Sequence, residues 1–203
     1  MTTIYFIRHG ETVANAANTF QGQQNSPLND SGVAQAKCIA NALKDVKFDA
    51  IYSSDLDRAT ATAMEINNVQ VNFKDIITDI RFREANFGEW EGHTYVEVME
   101  RWTDLAKKWL LDSYSTRPPG GETLDEVVGR VGAAIEDIGI KHKDETVAVI
   151  CHGGTVRAAV CNILGVLPTI FMRLSVDNCS VTIAVVDGDK RKLKKFNITA
   201  EDF

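Results

Sequence analysis

The sequence predicts an α/β architecture in which a largely parallel sheet is covered by helices on both faces. Three observations carry this reading. Short apolar, β-prone runs alternate with amphipathic helical stretches along the chain. Two of those runs, Ile4–Ile7 and Val147–Ile150, lead into the same step, His-Gly, at His9-Gly10 and His152-Gly153. The 203 residues contain no linker, internal repeat or low-complexity tract. They therefore read as one domain, 1–203, below the roughly 250 residues at which single cores stop growing.

The elements follow in order. Thr3–Ile7 is a β-rich run, and the Asn- and Gln-rich stretch Asn15–Asn29, with Pro27, reads as a long loop. Asp30 or Ser31 can cap a helix that places Val33, Ala36, Ile39, Ala40 and Leu43 on one face. Phe48–Ser53 is a short buried strand, and Asp55 caps a second helix running to about Ile66. Val69–Ile80 is β-prone, and the aromatic, charged stretch Arg81–Trp109 is partly helical. Pro118-Pro119-Gly120-Gly121 breaks the chain. From Glu122 onward, Leu124, Val127, Val128, Val131, Ile135 and Ile138 mark a long amphipathic helix. Thr146–Ile150 is a strand, a helix follows to about Leu164, and strands lie near Val181–Val186 and Lys192–Ile198. The run Cys179–Val186 is a candidate edge strand, and nothing fixes the oligomeric state, a homodimer included.

Composition narrows the function. With 44% hydrophobic and 25% charged residues the chain has the profile of a folded globular protein rather than a disordered one or a coiled coil. Its 28 acidic against 22 basic side chains, net −6, argue against a nucleic-acid partner. The same balance does not exclude an anionic small molecule, because capture depends on local focusing rather than net charge. No stretch approaches the ~20 apolar residues of a membrane span. The apolar run before Arg8 is too short, and its charge wrongly placed, for a signal peptide. Cys38, Cys151, Cys161 and Cys179 show no paired spacing, so reduced thiols and a cytoplasmic location are expected.

The duplicated strand-His-Gly step points to chemistry. In parallel α/β sheets, sites form at the carboxyl ends of strands, so both imidazoles should reach one edge. The glycine after each histidine permits a sharp turn and close backbone approach to a ligand. Arg8 adjoins His9, and Arg58 lies in the first turns of the helix after the second strand. Guanidinium groups hold phosphate oxygens bidentately and keep their charge, so two of them beside two histidines read as an oxyanion site.

These residues carry a resemblance. Arg8-His9-Gly10-Glu11-Thr12 with Asn15, Leu28–Gly32, Ser53–Ala59 around Arg58, Arg83-Glu84 through Gly92, and His152-Gly153-Gly154 resemble the histidine phosphatase superfamily, and within it the phosphoglycerate-mutase-like branch. The resemblance implies a three-layer α/β/α sandwich with a small cap over the carboxyl-terminal edge of the sheet, the cap falling in 86–122. It implies His9 as the nucleophile, phosphorylated during turnover, and Glu84 as proton donor to the leaving oxygen. Arg8, Arg58 and His152 would hold the phosphoryl oxygens, helped by Asn15 and, on a looser match, by Gln21, Gly22 and Gly153. His93 would stand near the pocket mouth, within reach of a substrate carboxylate.

The chemistry is coherent on its own terms. Neutral imidazole is nucleophilic near pH 7 when its other nitrogen is oriented. Phosphoryl transfer mainly asks for positioned groups and positive charge, so no metal or cofactor is expected. Glu84, near Phe82, Phe87, Trp90 and a phosphate dianion, is expected to be protonated.

Two other phosphatase patterns occur. Cys151–Arg157 has the Cys-x5-Arg spacing of cysteine-dependent enzymes, but Ala158 stands where those carry Ser or Thr. Asp55-Leu-Asp57 imitates a magnesium-binding aspartate pair but follows the second strand, not the first. Neither accounts for Arg8-His9-Gly10. Within the resembled family, hydrolysis is favoured over phosphoglycerate mutase. Mutases of this branch carry an adjacent Arg-Arg pair in a longer insertion, whereas Arg101 and Arg117 stand alone here, and Phe87 replaces a typical Tyr. The expected substrate is a small phosphorylated metabolite such as phosphoserine, 3-phosphoglycerate, α-ribazole phosphate or a sugar phosphate. A metal-independent phosphoserine phosphatase fits the pattern. A non-catalytic phospholigand-binding protein is the remaining alternative, although it predicts loss of His9 or Glu84.

Overall fold

The strand Thr2–Arg8 (β1) is buried on both faces, Ile4 and Phe6 into one helical layer and Ile7 into the other. Double burial of this kind is the mark of a parallel sheet with helices on both sides. In the computed structural model, which describes residues 1–203 apart from the side chains of Pro168 and Thr169, β1 is joined by β2 (Ala50–Ser53), β3 (Ile76–Thr78), β4 (Thr146–Cys151), β5 (Val181–Asp187) and β6 (Lys190–Ile198). They form one sheet in the order β3-β2-β4-β1-β5-β6. β1 to β4 run parallel, and β5 runs against both of its neighbours.

Seven α-helices complete the described chain: α1 (Val13–Ala16), α2 (Asp30–Ala42), α3 (Asp57–Asn68), α4 (Tyr95–Arg101), α5 (Thr103–Leu111), α6 (Leu124–Lys141) and α7 (Gly153–Leu164). α6 and α7 cover one face, where Val127, Val131, Ile135 and Ala159 pack on Ile4, Phe6, Val147 and Val149. α2 and α3 cover the other, with Ile39, Leu43, Ala63 and Ile66 on Ile7, Ile51 and Ile150. Each of these Val, Ile, Leu and Phe side chains contributes about 1.5–3 kcal/mol by leaving water. A third apolar cluster, Trp90, Val98, Ala106 and Trp109, holds α4 and α5 together. The three layers and the parallel sheet are those the sequence predicts.

Several boundaries differ for local reasons. The α2 cap is Asn29, whose side chain accepts from the Gly32 N–H at 2.8 Å, so Asp30 and Ser31 are already helical. Asp55 caps nothing: its carboxylate is held by Arg83, and α3 starts after Leu56 with no side-chain cap. α6 begins one capping box later than Glu122, at Thr123 with Glu126, which frees Glu122 for Arg130. Only Ile76–Thr78 of the β-prone stretch pairs. β5 is no edge, lying between β1 and β6; β6 forms that edge and carries the exposed Lys190, Lys192, Lys194 and Lys195, which discourage further pairing. No described helix is long and apolar enough to cross a membrane.

Register sets the stage for the site. Arg8 pairs with Cys151, and Ser53 with Ile150, so β1, β4 and β2 end together. His9, His152 and Ser54 therefore leave the sheet side by side.

Candidate active site

His9 is 3% exposed, and its Nδ1–H donates to the Gly10 carbonyl at 2.6 Å. That bond fixes the tautomer and leaves Nε2 with its lone pair. Burial, then the charges of Arg58 and Arg8, hold the imidazole well below its usual range, so it is neutral at pH 7. The turn behind it is tightly braced. The Gly10 N–H donates to Thr62 Oγ1 at 3.1 Å, the Asn178 amide donates to the His9 carbonyl at 3.0 Å, and a Cβ at Gly10 would lie 2.4 Å from the Gly32 carbonyl oxygen.

His152 stands at the start of α7, fully buried, with its ring centroid 5.1 Å from that of His9. Arg58 Nε donates to His152 Nδ1 at 3.1 Å. An arginine N–H can only donate, so the proton of the neutral ring sits on Nε2 and is given to Ser54 Oγ at 2.9 Å. Burial and the neighbouring cations keep this ring neutral as well.

Arg58 is 1% exposed, and its Nη groups donate to the Gln24 and Gly22 carbonyls at 2.8 and 2.6 Å. Each Nη retains a second N–H. Burial lowers the guanidinium to about 10, which leaves it cationic at neutral pH. Gly22 takes a left-handed φ of +52°, and a Cβ there would meet the Glu91 carboxylate, so the loop that presents this carbonyl needs glycine. Arg8 Nη1 donates to the Val176 carbonyl at 2.6 Å, while its buried Nε has no partner among the described residues. Gln21 shows the same deficit. Its Oε1 accepts from Thr12 Oγ1 at 3.0 Å and Asn15 Nδ2 at 3.4 Å, and its buried Nε2 donates to nothing described. Orphaned buried donors are costly and rare, and two at one site point to an anion that accepts from them.

Glu84 faces this group from the segment before the Gly88–Trp90 turn. Its Oε2 accepts from the Gly154 N–H at 2.9 Å and its Oε1 from the Ala85 N–H at 2.8 Å. Its backbone carbonyl accepts from Gln23 Nε2 and Arg130 Nη2.

Arg8, His9, Asn15, Gln21, Gly22, Arg58, Glu84 and Gly153 line one cavity of about 230 Å³. His152 stands behind Arg58 rather than on the wall. His93 does not reach the cavity: it lies against Trp102, with Nε2 3.0 Å from Arg101 Nη1 at the end of α4. Of the aromatic residues in 86–122, Phe87 and Trp109 line the cavity, whereas Trp90 is buried behind them.

Sequence reasoning missed Ser54, Thr62, Asn178, Phe20, Phe171 and Arg157. Arg157 was detectable, since it lies four residues beyond Gly153 in a predicted helix and thus on the same face. It lines the cavity, whereas Cys151 is fully buried in the core and burial drives its thiol far above the usual range. The Cys-x5-Arg spacing is therefore a coincidence of strand and helix. Asp55 is tied to Arg83, and no described cluster of His, Cys, Asp or Glu is arranged around a metal ion.

A neutral, oriented histidine among guanidiniums and orphaned donors, with a carboxylate opposite, defines a phosphoryl-transfer class of site on an α/β sheet. The profile of the histidine phosphatase superfamily (branch 1) matches residues 4–199, and the chain belongs to that family. It is 32% identical over 199 residues to phosphoserine phosphatase 1 of Hydrogenobacter thermophilus, covering 98% of this chain and 93% of that one. It is 34% identical over 182 residues to a probable phosphoglycerate mutase of Escherichia coli, covering 90% and 84%. Among solved structures it resembles a mutant phosphoserine phosphatase from Entamoeba histolytica in complex with phosphoserine, with a TM-score of 0.86, 28% identity and 97% of each chain covered.

Proposed function

We propose that the protein is a metal-independent phosphomonoesterase that hydrolyses a small phosphorylated metabolite through a phosphohistidine on His9. One observation carries the reading: His9 is locked by Gly10 in the tautomer that offers Nε2, beside two arginines and two unpartnered buried donors. In the first step Nε2 attacks phosphorus, the bond to the ester oxygen breaks, and Glu84 protonates the departing alkoxide. Arg8, Arg58, Asn15 and Gln21 take the spreading charge on the equatorial oxygens. His152 orients Arg58 through its Nδ1. In the second step Glu84 accepts a proton from water, whose oxygen attacks phosphorus, and the P–N bond breaks to release inorganic phosphate.

Several features support a single domain in which 86–122 acts as the cap. The Asn86 carbonyl accepts from the Glu122 N–H at 2.7 Å, the Asn86 N–H donates to Glu122 Oε2 at 2.8 Å, and the segment between them supplies Phe87 and Trp109 to the cavity. Hydrolysis is favoured over mutase chemistry because neither arginine of the cap lines the cavity: Arg101 lies against His93 and Trp102, and Arg117 pairs with Glu126 and donates to the Gly121 carbonyl. The acidic chain and its unpaired cysteines fit a cytoplasmic enzyme acting on metabolites, not nucleic acid or membrane.

The test is a phosphate-release panel over phosphoserine, 3-phosphoglycerate and sugar phosphates, run with and without EDTA. Release that EDTA leaves intact supports the reading. Interconversion of phosphoglycerates with negligible free phosphate would move the protein to the mutases, and loss of activity with EDTA would sink the metal-independent route.

A further inference from the structure

The proposed mechanism accounts for Arg8 and Arg58 but leaves a third guanidinium in the same cavity. Arg157 belongs to α7, four residues beyond Gly153 and three beyond Gly154, so it shares the helix face that fronts the cavity. It sits about 4.5 Å further along the axis than Gly154, the glycine whose N–H holds Glu84. Glu84 lines the same cavity and its charge reaches the Arg157 guanidinium, so on the proposed mechanism Arg157 stands on the side from which the leaving alcohol is protonated.

Its engagement differs from that of the other two cavity arginines. Nε donates to the Leu174 carbonyl at 2.8 Å, and the Phe171 ring lies 5.6 Å from the guanidinium carbon and supports its plane. Among the described residues neither Nη group has a protein partner. Phe20, Phe87, Trp109 and Leu124 line the same cavity, with the three aromatic rings in mutual edge contact, and Glu84 is the acidic group whose charge reaches the guanidinium. A half-buried cation offering paired Nη donors matches a carboxylate, in both charge and fork geometry. A second phosphate dianion would ask for more positive charge than one guanidinium. The cavity of about 230 Å³ adjoins a more open hollow that shares Arg8, Asn15, Thr19 and Phe20 with it.

We infer that Arg157 is a specificity-determining residue that binds a carboxylate on the leaving alcohol, so that the substrate is a phosphomonoester of a hydroxy or amino acid. This rests on the phosphatase reading for its place in catalysis, though not for the binding it predicts. The experiment uses ligand pairs that differ only at the carboxylate: phosphoserine against phosphoethanolamine, and 3-phosphoglycerate against glycerol 3-phosphate. Dissociation constants are measured by calorimetry on a His9→Ala background, where ligands persist, and kcat/KM is measured on the parent enzyme. The carboxylated member of at least one pair should bind about tenfold or more tightly, as expected for a hydrogen bond to a charged group. Arg157→Gln should lower that ratio about 10- to 100-fold, and Arg157→Lys, which keeps the charge without the fork, should restore part of it. Equal affinity within both pairs, no detectable binding of either carboxylated ligand, or a ratio that Arg157→Gln leaves within twofold overturns the assignment. A ratio that survives in binding while no ligand yields phosphate sinks the hydrolytic reading alone.

Discussion

The carboxylate of Glu84 rests directly on the backbone of Gly154. Oε2 accepts from its N–H at 2.9 Å, and a Cβ at that position would lie 2.1 Å from Oε1. Only glycine lets helix α7 and the proposed proton donor approach this closely. Gly154→Ala should therefore displace Glu84 and lower kcat on alkyl phosphates by about 10²- to 10⁴-fold, the usual worth of a positioned acid. The loss should be much smaller on p-nitrophenyl phosphate, whose leaving group departs as a stable anion. Equal losses on both substrates would mean that the methyl disturbs phosphate binding rather than proton transfer.

Arg130 fixes the other side of Glu84. Every N–H of its guanidinium is used: on the Arg81, Arg83 and Glu84 carbonyls at 2.7, 2.8 and 3.0 Å, and on both oxygens of Glu122. Arg130→Gln strips partly buried acceptors of their donors and should cost about 1–3 kcal/mol. In a chain of this length that corresponds to a fall in Tm of roughly 2–12 °C, readable by thermal denaturation. Arg130→Lys keeps the charge but not the fork, and should fall between the two.

Stability should depend on pH through the two buried histidines. Both are held well below the ordinary 6.5, while the unfolded chain takes up protons near that value. Below about pH 6.5 the unfolded state thus binds more protons than the native state, so stability falls as pH falls, by up to about 1.4 kcal/mol per pH unit for each ring. Urea titrations between pH 7 and 5.5 should show this slope, and His9→Gln should flatten it by about one proton. Parallel curves for the parent and the variant would show that His9 is protonated in the folded protein.

Thiol chemistry should be dispensable. Cys151 is buried in the core with its thiol pushed far up by desolvation, while Cys38 is exposed. Cys151→Ala should keep most of the activity, and iodoacetamide should label Cys38 first, as peptide mapping can show. Inactivation that tracks alkylation of Cys151 would revive the cysteine-dependent alternative.

The layered sheet and the group Arg8, His9, Arg58, Glu84, His152 were legible because strand ends and helix starts are local features, and parallel strands bring their ends together. What the sequence concealed depends on tertiary placement. Asp55 looks like a cap until Arg83 arrives from 28 residues away. His93 has the residue type of a ligand, but Arg101, eight residues on, holds it away from the cavity. Ser54 and Thr62 are ordinary hydroxyls in sequence, and they matter only because His152 and the Gly10 N–H land on them. Arg157 was hidden by the cysteine six residues before it, which drew the reading towards a different motif.

The central claim is a covalent phosphohistidine at His9. Rapid quenching at alkaline pH after mixing with phosphoserine or 3-phosphoglycerate, followed by mass spectrometry of the His9 peptide, tests it most directly. Phosphate should appear on His9, stable to base, labile to acid and absent from His9→Ala. Phosphate on Cys151 or an aspartate, or hydrolysis that persists in His9→Ala, would contradict it.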